Sequence, residues 1–172
     1  DALPILNAAK VADKLEWKKM KQWSVMSNAI DAFVATENYE KARNVCVYAY
    51  NRKLGGRRLL ATLMEMYVKL EEFDDAQEIY QEYVELAPRD VTGFILLYKL
   101  RRAQGAPVEE LINILQNYKE KELDEEYEYE LALLYSEAGL TDKCVRECDA
   151  LVLWFSDGIY VEKALKLKQV YA

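Results

Sequence analysis

Three stretches decide the architecture: Asn38-Tyr-Glu-Lys-Ala42-Arg-Asn-Val-Cys46, Phe73-Asp-Asp-Ala76-Gln-Glu-Ile-Tyr80 and Leu140-Thr-Asp-Lys-Cys144-Val-Arg-Glu-Cys148. Each has a polar helix start, then a small residue, then a second apolar residue four positions later, one helical turn on. The small residues at 42, 76 and 144 are separated by 34 and 68. A second series lies one helix earlier. Phe33, Tyr67 and Tyr135 keep the same intervals, as do Ala29, Leu63 and Leu131, with Leu97 in the remaining place. Two series in one register divide the chain at 23–56, 57–90, 91–124 and 125–158, the mark of a repeat architecture.

Outward from that register, local chemistry agrees with helix pairs. Asn38, Asp74, Asp90, Asp124 and Thr141 precede helical runs as N-caps, and Asp74 with Gln77 approaches a capping box. Gly55-Gly56, Pro88, Gly105 and Gly139 punctuate the turns. No window alternates with period two for long enough to require a strand. Leu3 to Lys21 reads as an amphipathic helix, and Gly158 to Ala172 as another, whose Lys-rich face suits a terminal cap.

A helix–turn–helix of this length and pattern resembles the tetratricopeptide repeat family over residues 23–158. In that family, positions 4, 7, 8, 11, 20, 24, 27 and 32 favour Trp, Leu, a small residue, an aromatic, Ala, an aromatic, Ala and Pro. Repeat two offers Leu60, Leu63, Met64, Tyr67, Ala76, Tyr80, Tyr83 and Pro88. Repeat three departs most, with Arg101 for the aromatic and Glu110 for the Ala; Leu111 takes the core place one residue late. Position 8 holds Ile30, Met64 and Tyr98, and only Ala132 is small. The resemblance implies an all-α, right-handed superhelical solenoid of antiparallel helix pairs. It forms one domain over 1–172, with an N-terminal helix in 1–22 and a capping helix in 159–172.

Composition bounds the function. The chain has 172 residues, no His and a net charge of −7, distributed as +5 over residues 1–58 and −12 over 59–172. An acidic body argues against nucleic acid, whose phosphates need a basic footprint. Cys46, Cys144 and Cys148 make an odd count without CxxC spacing, so neither a disulfide framework nor a zinc site is expected. All three fall on core repeat positions, and they suit a reducing compartment; a cytoplasmic location is the default. The chain opens at Asp1, which suggests an excised piece of a larger protein. No run approaches the length that spans a membrane.

In the family, the first helix of each repeat lines a concave groove. Carrying those positions over implies a partner-binding face of Asn28, Asp31, Arg58, Thr62, Glu65, Lys69, Lys99, Arg102 and Tyr129, with Ser27, Glu126, Glu130 and Leu133 alongside. Its middle is basic and borders an apolar strip of Ile95, Leu96 and Tyr129, which would suit a peptide or helix with an acidic group and an apolar anchor. The clamp by which some family members hold a C-terminal carboxylate is absent, since its places hold Ser27, Asp31, Thr62, Thr92 and Leu96.

Tyr67, Tyr80, Tyr83 and Tyr135 occupy core positions, while Tyr118, Tyr127 and Tyr129 are surplus aromatics that could bind something. The acidic run Lys121 to Glu130 lacks the spacing of a calcium loop, and Arg52-Lys53 and Arg57-Arg58 flank a Gly-Gly turn without phosphate-loop spacing. Trp17 and Trp23 are expected to pack the first helix onto repeat one. Catalysis needs a nucleophile with a base, paired carboxylates in a dry pocket, or a metal, and no such constellation is present. The reading is a non-catalytic protein-interaction scaffold without cofactor or metal. The alternatives are a self-assembling homo-oligomer or a helical repeat binding a small ligand or, less readily, RNA.

Overall fold

A left-handed backbone residue recurs every 34 positions: Glu37, Glu71, Gly105 and Gly139 have φ of 58, 58, 76 and 75°. Each reverses the chain after a first helix. The N–H of the left-handed residue bonds back to the carbonyl three earlier, and the next N–H to the carbonyl five earlier: Glu37 to Val34 and Asn38 to Phe33, Glu71 to Val68 and Glu72 to Tyr67, Gly105 to Arg102 and Ala106 to Arg101, Gly139 to Ser136 and Leu140 to Tyr135. This is the Schellman arrangement, which satisfies the last carbonyls of a helix while turning the chain back. Positions 33, 67 and 135, legible in the sequence as one series, and Arg101 in the third repeat accept the bond that spans five residues.

The computed structural model describes residues 2–14 and 23–172. Residues 15–22, with Trp17 and the basic run Lys18 to Lys21, lie outside the described part, so the expectation placed on Trp17 has no structural counterpart here. The described residues form ten helices and no strand: α1 (Ala2–Lys14), α2 (Trp23–Ala35), α3 (Tyr39–Asn51), α4 (Gly56–Lys69), α5 (Phe73–Leu86), α6 (Thr92–Ala103), α7 (Val108–Lys119), α8 (Glu125–Glu137), α9 (Thr141–Phe155) and α10 (Ile159–Gln169). The all-α helical-repeat fold expected from the sequence is the fold observed.

By internal contact the chain forms two units, Asp1–Leu96 and Leu97–Ala172, whose border falls inside α6. In the first, α1 packs on α2, α2 on α3, α3 on α4 and α4 on α5. Its core is apolar at the repeat positions: Ala29, Phe33, Ala42 and Cys46 from one repeat, Leu63, Met64, Ala76 and Tyr83 from the next, all buried. In the second, α7 packs on α8, α8 on α9, and α10 on both α8 and α9. Leu111, Leu131, Ala132, Cys144, Cys148 and Ala164 are buried there. At position 8, Ile30, Met64, Tyr98 and Ala132 are all buried whatever their size.

Capping follows the sequence in part. Asn38 accepts the Lys41 N–H at 3.4 Å and Asp124 the Glu126 N–H at 3.1 Å, and Asp90 accepts the Thr92 N–H at 3.0 Å. Asp74 and Thr141 are not caps: α5 begins at Phe73 after Glu72, and α9 at Thr141 after Leu140. The Schellman turn fixes where the second helix enters, so both polar residues fall in its first turn; there the Asp74 carboxylate still meets the positive end of the helix dipole. Pro107 is itself the N-cap of α7, one residue before the first turn.

Gly55, by contrast, admits no other residue. Its φ is 79°, and a Cβ there would stand 2.6 Å from Cη2 of Trp23 and 2.8 Å from Cβ of Leu59. The indole of Trp23 therefore rests on the α3–α4 turn.

The repeating left-handed position generates a prediction. Non-glycine residues resist this conformation by about 1–2 kcal/mol. Glu71→Gly should therefore raise stability by about 0.5–1 kcal/mol, and Gly139→Ala should lower it by about 1 kcal/mol, since a Cβ at Gly139 meets nothing within 4 Å. Urea unfolding reads both, and shifts of the same sign for the two variants would refute the account.

Candidate partner-binding site

Residues three and four apart share a helix face, and in the first unit this brings part of the expected face together. Ser27 and Asp31 of α2 and Arg58 and Thr62 of α4 line one shallow crevice of about 20 Å³ with Trp23, Ile30 and Leu59. Thr62 Oγ1 donates to the Arg58 carbonyl at 3.1 Å, which leaves its side chain turned along the helix. The Arg58 side chain is exposed and makes no ion pair among the described residues. Glu65 is half-buried and Lys69 exposed, its ammonium 5.8 Å from the Tyr39 ring centre. Asn28 departs from this group. It faces α1, where it lines a separate cleft of about 360 Å³ with Asn7, Ala8 and Val11.

In the second unit the expected residues are engaged with their own neighbours. Lys99 is half-buried. Arg102 reaches Oε1 of Glu137 at 3.2 Å and the Tyr98 hydroxyl at 3.2 Å, and that hydroxyl donates to Glu130 at 2.7 Å. The charge on Arg102 is thereby balanced by carboxylates from α8. Tyr129 stacks at a tilt on Tyr160 of α10, ring centres 6.1 Å apart, and the Lys163 ammonium covers both rings.

The apolar strip needs correction. Ile95 and Leu96 are 8% and 1% exposed, taken into the buried stripe of α6, so they offer nothing to a partner. The surplus tyrosines also divide differently. Tyr118 is buried and donates to Asp124 at 2.7 Å, while Tyr127 sets its ring edge-on to it. Of the tyrosines assigned to the core, Tyr83 and Tyr135 are buried and Tyr67 and Tyr80 only half-buried.

Repeat three's two departures from the family pattern prove to be one feature. Arg101 grips Glu110 with both arms of its guanidinium, Nε to Oε2 at 2.6 Å and Nη2 to Oε1 at 3.1 Å. A bidentate ion pair stands where the other repeats oppose an aromatic and a small residue. The hydrogen bond from Arg101 holds the Glu110 carboxyl below its ordinary range. Leu111 is buried beside it, one place late as the sequence indicates.

Two acidic residues, Glu128 and Glu147, are buried between α7, α8 and α9. Lys119 bonds both oxygens of Glu147 at 2.8 Å. Glu128, 4% exposed, leaves Oε2 without a hydrogen-bond partner. Burial first, then the charge of Glu147, pushes the Glu128 carboxyl up; Lys119 pulls the other way, and Asp124 adds to the rise. A raised carboxyl in a cleft marks a general acid, but Glu128 lines none of the clefts described here and no substrate could reach it. Cys46, Cys144 and Cys148 are free and fully buried; burial, with the Asp31 charge, pushes the Cys46 thiol up to about 12, so it is not a nucleophile at neutral pH. Among the described residues, no group of three or more Cys, Asp or Glu could hold a metal ion, and no helix is long and apolar enough to cross a membrane.

The buried carboxyl gives a pH prediction. Because the native state holds the Glu128 proton more tightly than the unfolded chain, its contribution is most favourable below the ordinary carboxyl pKa and is lost as pH rises through the raised value. Glu128→Leu should therefore be more stable than the wild type by about 1–3 kcal/mol at pH 7, with the gap narrowing at pH 4. Urea midpoints for both proteins at the two pH values check this; a gap that widens on acidification would contradict it.

No family model matches the chain, and no curated protein matches it in sequence. Solved structures do. A tetratricopeptide repeat protein from Parabacteroides merdae superposes with a TM-score of 0.78 at 16% identity, over 98% of this chain. This chain spans 66% of that protein's length, just under two thirds. YrrB, described as a TPR protein with an unusual peptide-binding site, superposes with a TM-score of 0.62 at 19% identity, over 96% of this chain and 92% of its own. The fold is therefore that of the tetratricopeptide repeat proteins.

Proposed function

We propose that the chain is a non-catalytic scaffold that holds an acidic peptide or helix of a partner protein against the first helices of its repeats. The observation that carries this reading is the crevice at α2 and α4, where Ser27, Asp31, Arg58 and Thr62 from two successive repeats meet in register. At about 20 Å³ it has room for little more than one water molecule, so a peptide would lie across it and not within it; small-molecule sites enclose about 300–1,000 Å³. YrrB, of the same fold, has a peptide-binding site, which supports the class of ligand. Arg58, exposed and without an ion-pair partner among the described residues, is the grip for a carboxylate. In the second unit, taken by itself, Lys99, Arg102 and Tyr129 are the candidate contacts, although Arg102 would have to share itself with Glu137. Three buried thiols fit the reducing cytoplasm.

A second reading, self-assembly, draws on Leu153, Trp154, Ile159 and Val170, which are 79, 66, 60 and 72% exposed at the end of the second unit. Sedimentation over a concentration series would show it as a rising mass.

The test of the first reading is capture and titration of a partner by the wild type and by Arg58→Glu, with Arg89→Glu as a control on an exposed loop residue. Arg58→Glu should weaken the captured segment about tenfold or more, with helical circular dichroism unchanged, and Arg89→Glu should bind as the wild type does. Equal binding by all three would exclude the crevice.

A further inference from the structure

Between the end of α3 and the first turn of α4 stand Arg52, Lys53, Arg57 and Arg58, four bases in seven residues, the first two in the loop and the last two in the helix. Behind this loop lies a second, much larger pocket of the first unit, about 550 Å³, bounded by Tyr50, Lys53, Leu54, Leu60, Glu82 and Leu86. Leu59 lines it too and separates it from the crevice at Arg58. Its wall is mainly leucine, and Leu86 stands 61% exposed at the rim.

The charges at the mouth are not equally available. The Arg52 guanidinium lies 4.1 Å from the Tyr48 ring centre. Arg57 stands 3.4 Å from Asp90, and the Glu82 carboxylate accepts the Tyr50 hydroxyl. Lys53 is exposed and has no ion pair among the described residues. It is the cation free to meet an incoming carboxylate.

One repeat length on, the counterparts of Leu59 and Tyr50 are Gly93 and Val84, but the equivalent place in the second unit shows what such a position can take. Two repeat lengths on, the counterpart of Leu59 is Tyr127 and that of Tyr50 is Tyr118. There the two rings meet edge to face, centres 5.7 Å apart and planes at 77°, and Tyr98 flanks Tyr127 at 6.2 Å and 87°. The second unit thus sets an aromatic ring of its own against its tyrosine, a favoured geometry. The first unit has a leucine at that position, and Tyr50 lines an open pocket instead.

We propose that this pocket is a docking site for a segment of a partner protein that inserts an aromatic side chain beside Tyr50 and sets a neighbouring carboxylate on Lys53. An aromatic anchor in an apolar pocket with a charged rim is the usual composition of an interaction hot spot. The proposal rests on the scaffold reading above but not on the groove residues, so the two can fail separately.

The test titrates the isotope-labelled 172-residue chain with acetyl-Glu-Phe-Glu-amide, acetyl-Glu-Ala-Glu-amide, acetyl-Lys-Phe-Lys-amide and 3-phenylpropionate, followed by amide NMR shifts. The first peptide should move the amides of Lys53, Leu54, Leu60 and Leu86 at millimolar concentration, and the alanine peptide should not. Lys53→Gln should weaken the Glu-flanked peptide about two- to fivefold and leave the Lys-flanked one unchanged. Lys121→Gln, on an exposed turn of the second unit, should leave both unchanged. Leu59→Tyr, which installs the ring of the second unit, should abolish the shifts while the rest of the spectrum is retained; if that variant does not fold, Lys53→Gln decides. Absence of shifts with the Phe peptide, equal shifts with the Ala peptide, or indifference to Lys53→Gln would overturn the proposal. Shifts from 3-phenylpropionate without shifts from the peptide would also overturn it, marking a small-molecule site.

Discussion

The left-handed residue that ends the first helix of each repeat is the constraint on which the other features depend. A helix pair can bury its apolar stripes only if the chain turns back within a few residues, and the last carbonyls of the first helix need partners as it does so. The paired bonds at Glu37, Glu71, Gly105 and Gly139 meet both needs at once. They also set the phase of the second helix, which is why Ala42, Ala76 and Cys144 arrive at equivalent buried places. Two of the four positions are glutamate, so the turn is held by the packing of its helices and not by glycine's freedom alone.

With the turn fixed, the first-helix faces follow from spacing. Asp31, Arg58 and Thr62 share a crevice because residues three and four apart share a face and because α2 and α4 occupy the same place in successive repeats. The same logic explains the difference between the units. In the first, Lys53 of the α3–α4 loop and Arg58 of the crevice are exposed and make no ion pair among the described residues. In the second, carboxylates stand close at hand, and Arg102 and Lys119 are taken up by Glu137 at the end of α8 and Glu147 of α9.

The period and the helix order were legible because they are written in positions 34 apart. So was the place of Leu111 and of the cysteines in the core. The caps expected at Asp74 and Thr141 fall two residues and one residue past the true caps, Glu72 and Leu140, because the turn geometry, not the polar residue, sets where a helix enters. Ile95 and Leu96 were misassigned for a different reason: a positional rule states which face a residue occupies, not how wide the buried stripe of that helix is. The partner of Arg102 lies 35 residues away and that of Tyr98 lies 32 away. Neighbours near one repeat length are a signal the sequence carries, yet it does not say which of several nearby glutamates a side chain will choose. The burial of Glu128 is signalled by the register, since it stands at position 4, where Met26 and Leu60 are buried, but its acidic neighbours read as an exposed helix start.

The ion pair in repeat three has a consequence for how this sequence could have arisen and can change. Arg101 and Glu110 meet where other repeats oppose a ring and a small side chain, so the two positions are no longer independent. Replacing either alone leaves a charge without its partner at a helix junction, whereas replacing both restores the apolar version. The side chains are 35 and 40% exposed, so the lone charge stays in water and a single change costs little. Change at this joint is therefore coupled only weakly, and the arginine and its glutamate can be exchanged one codon at a time.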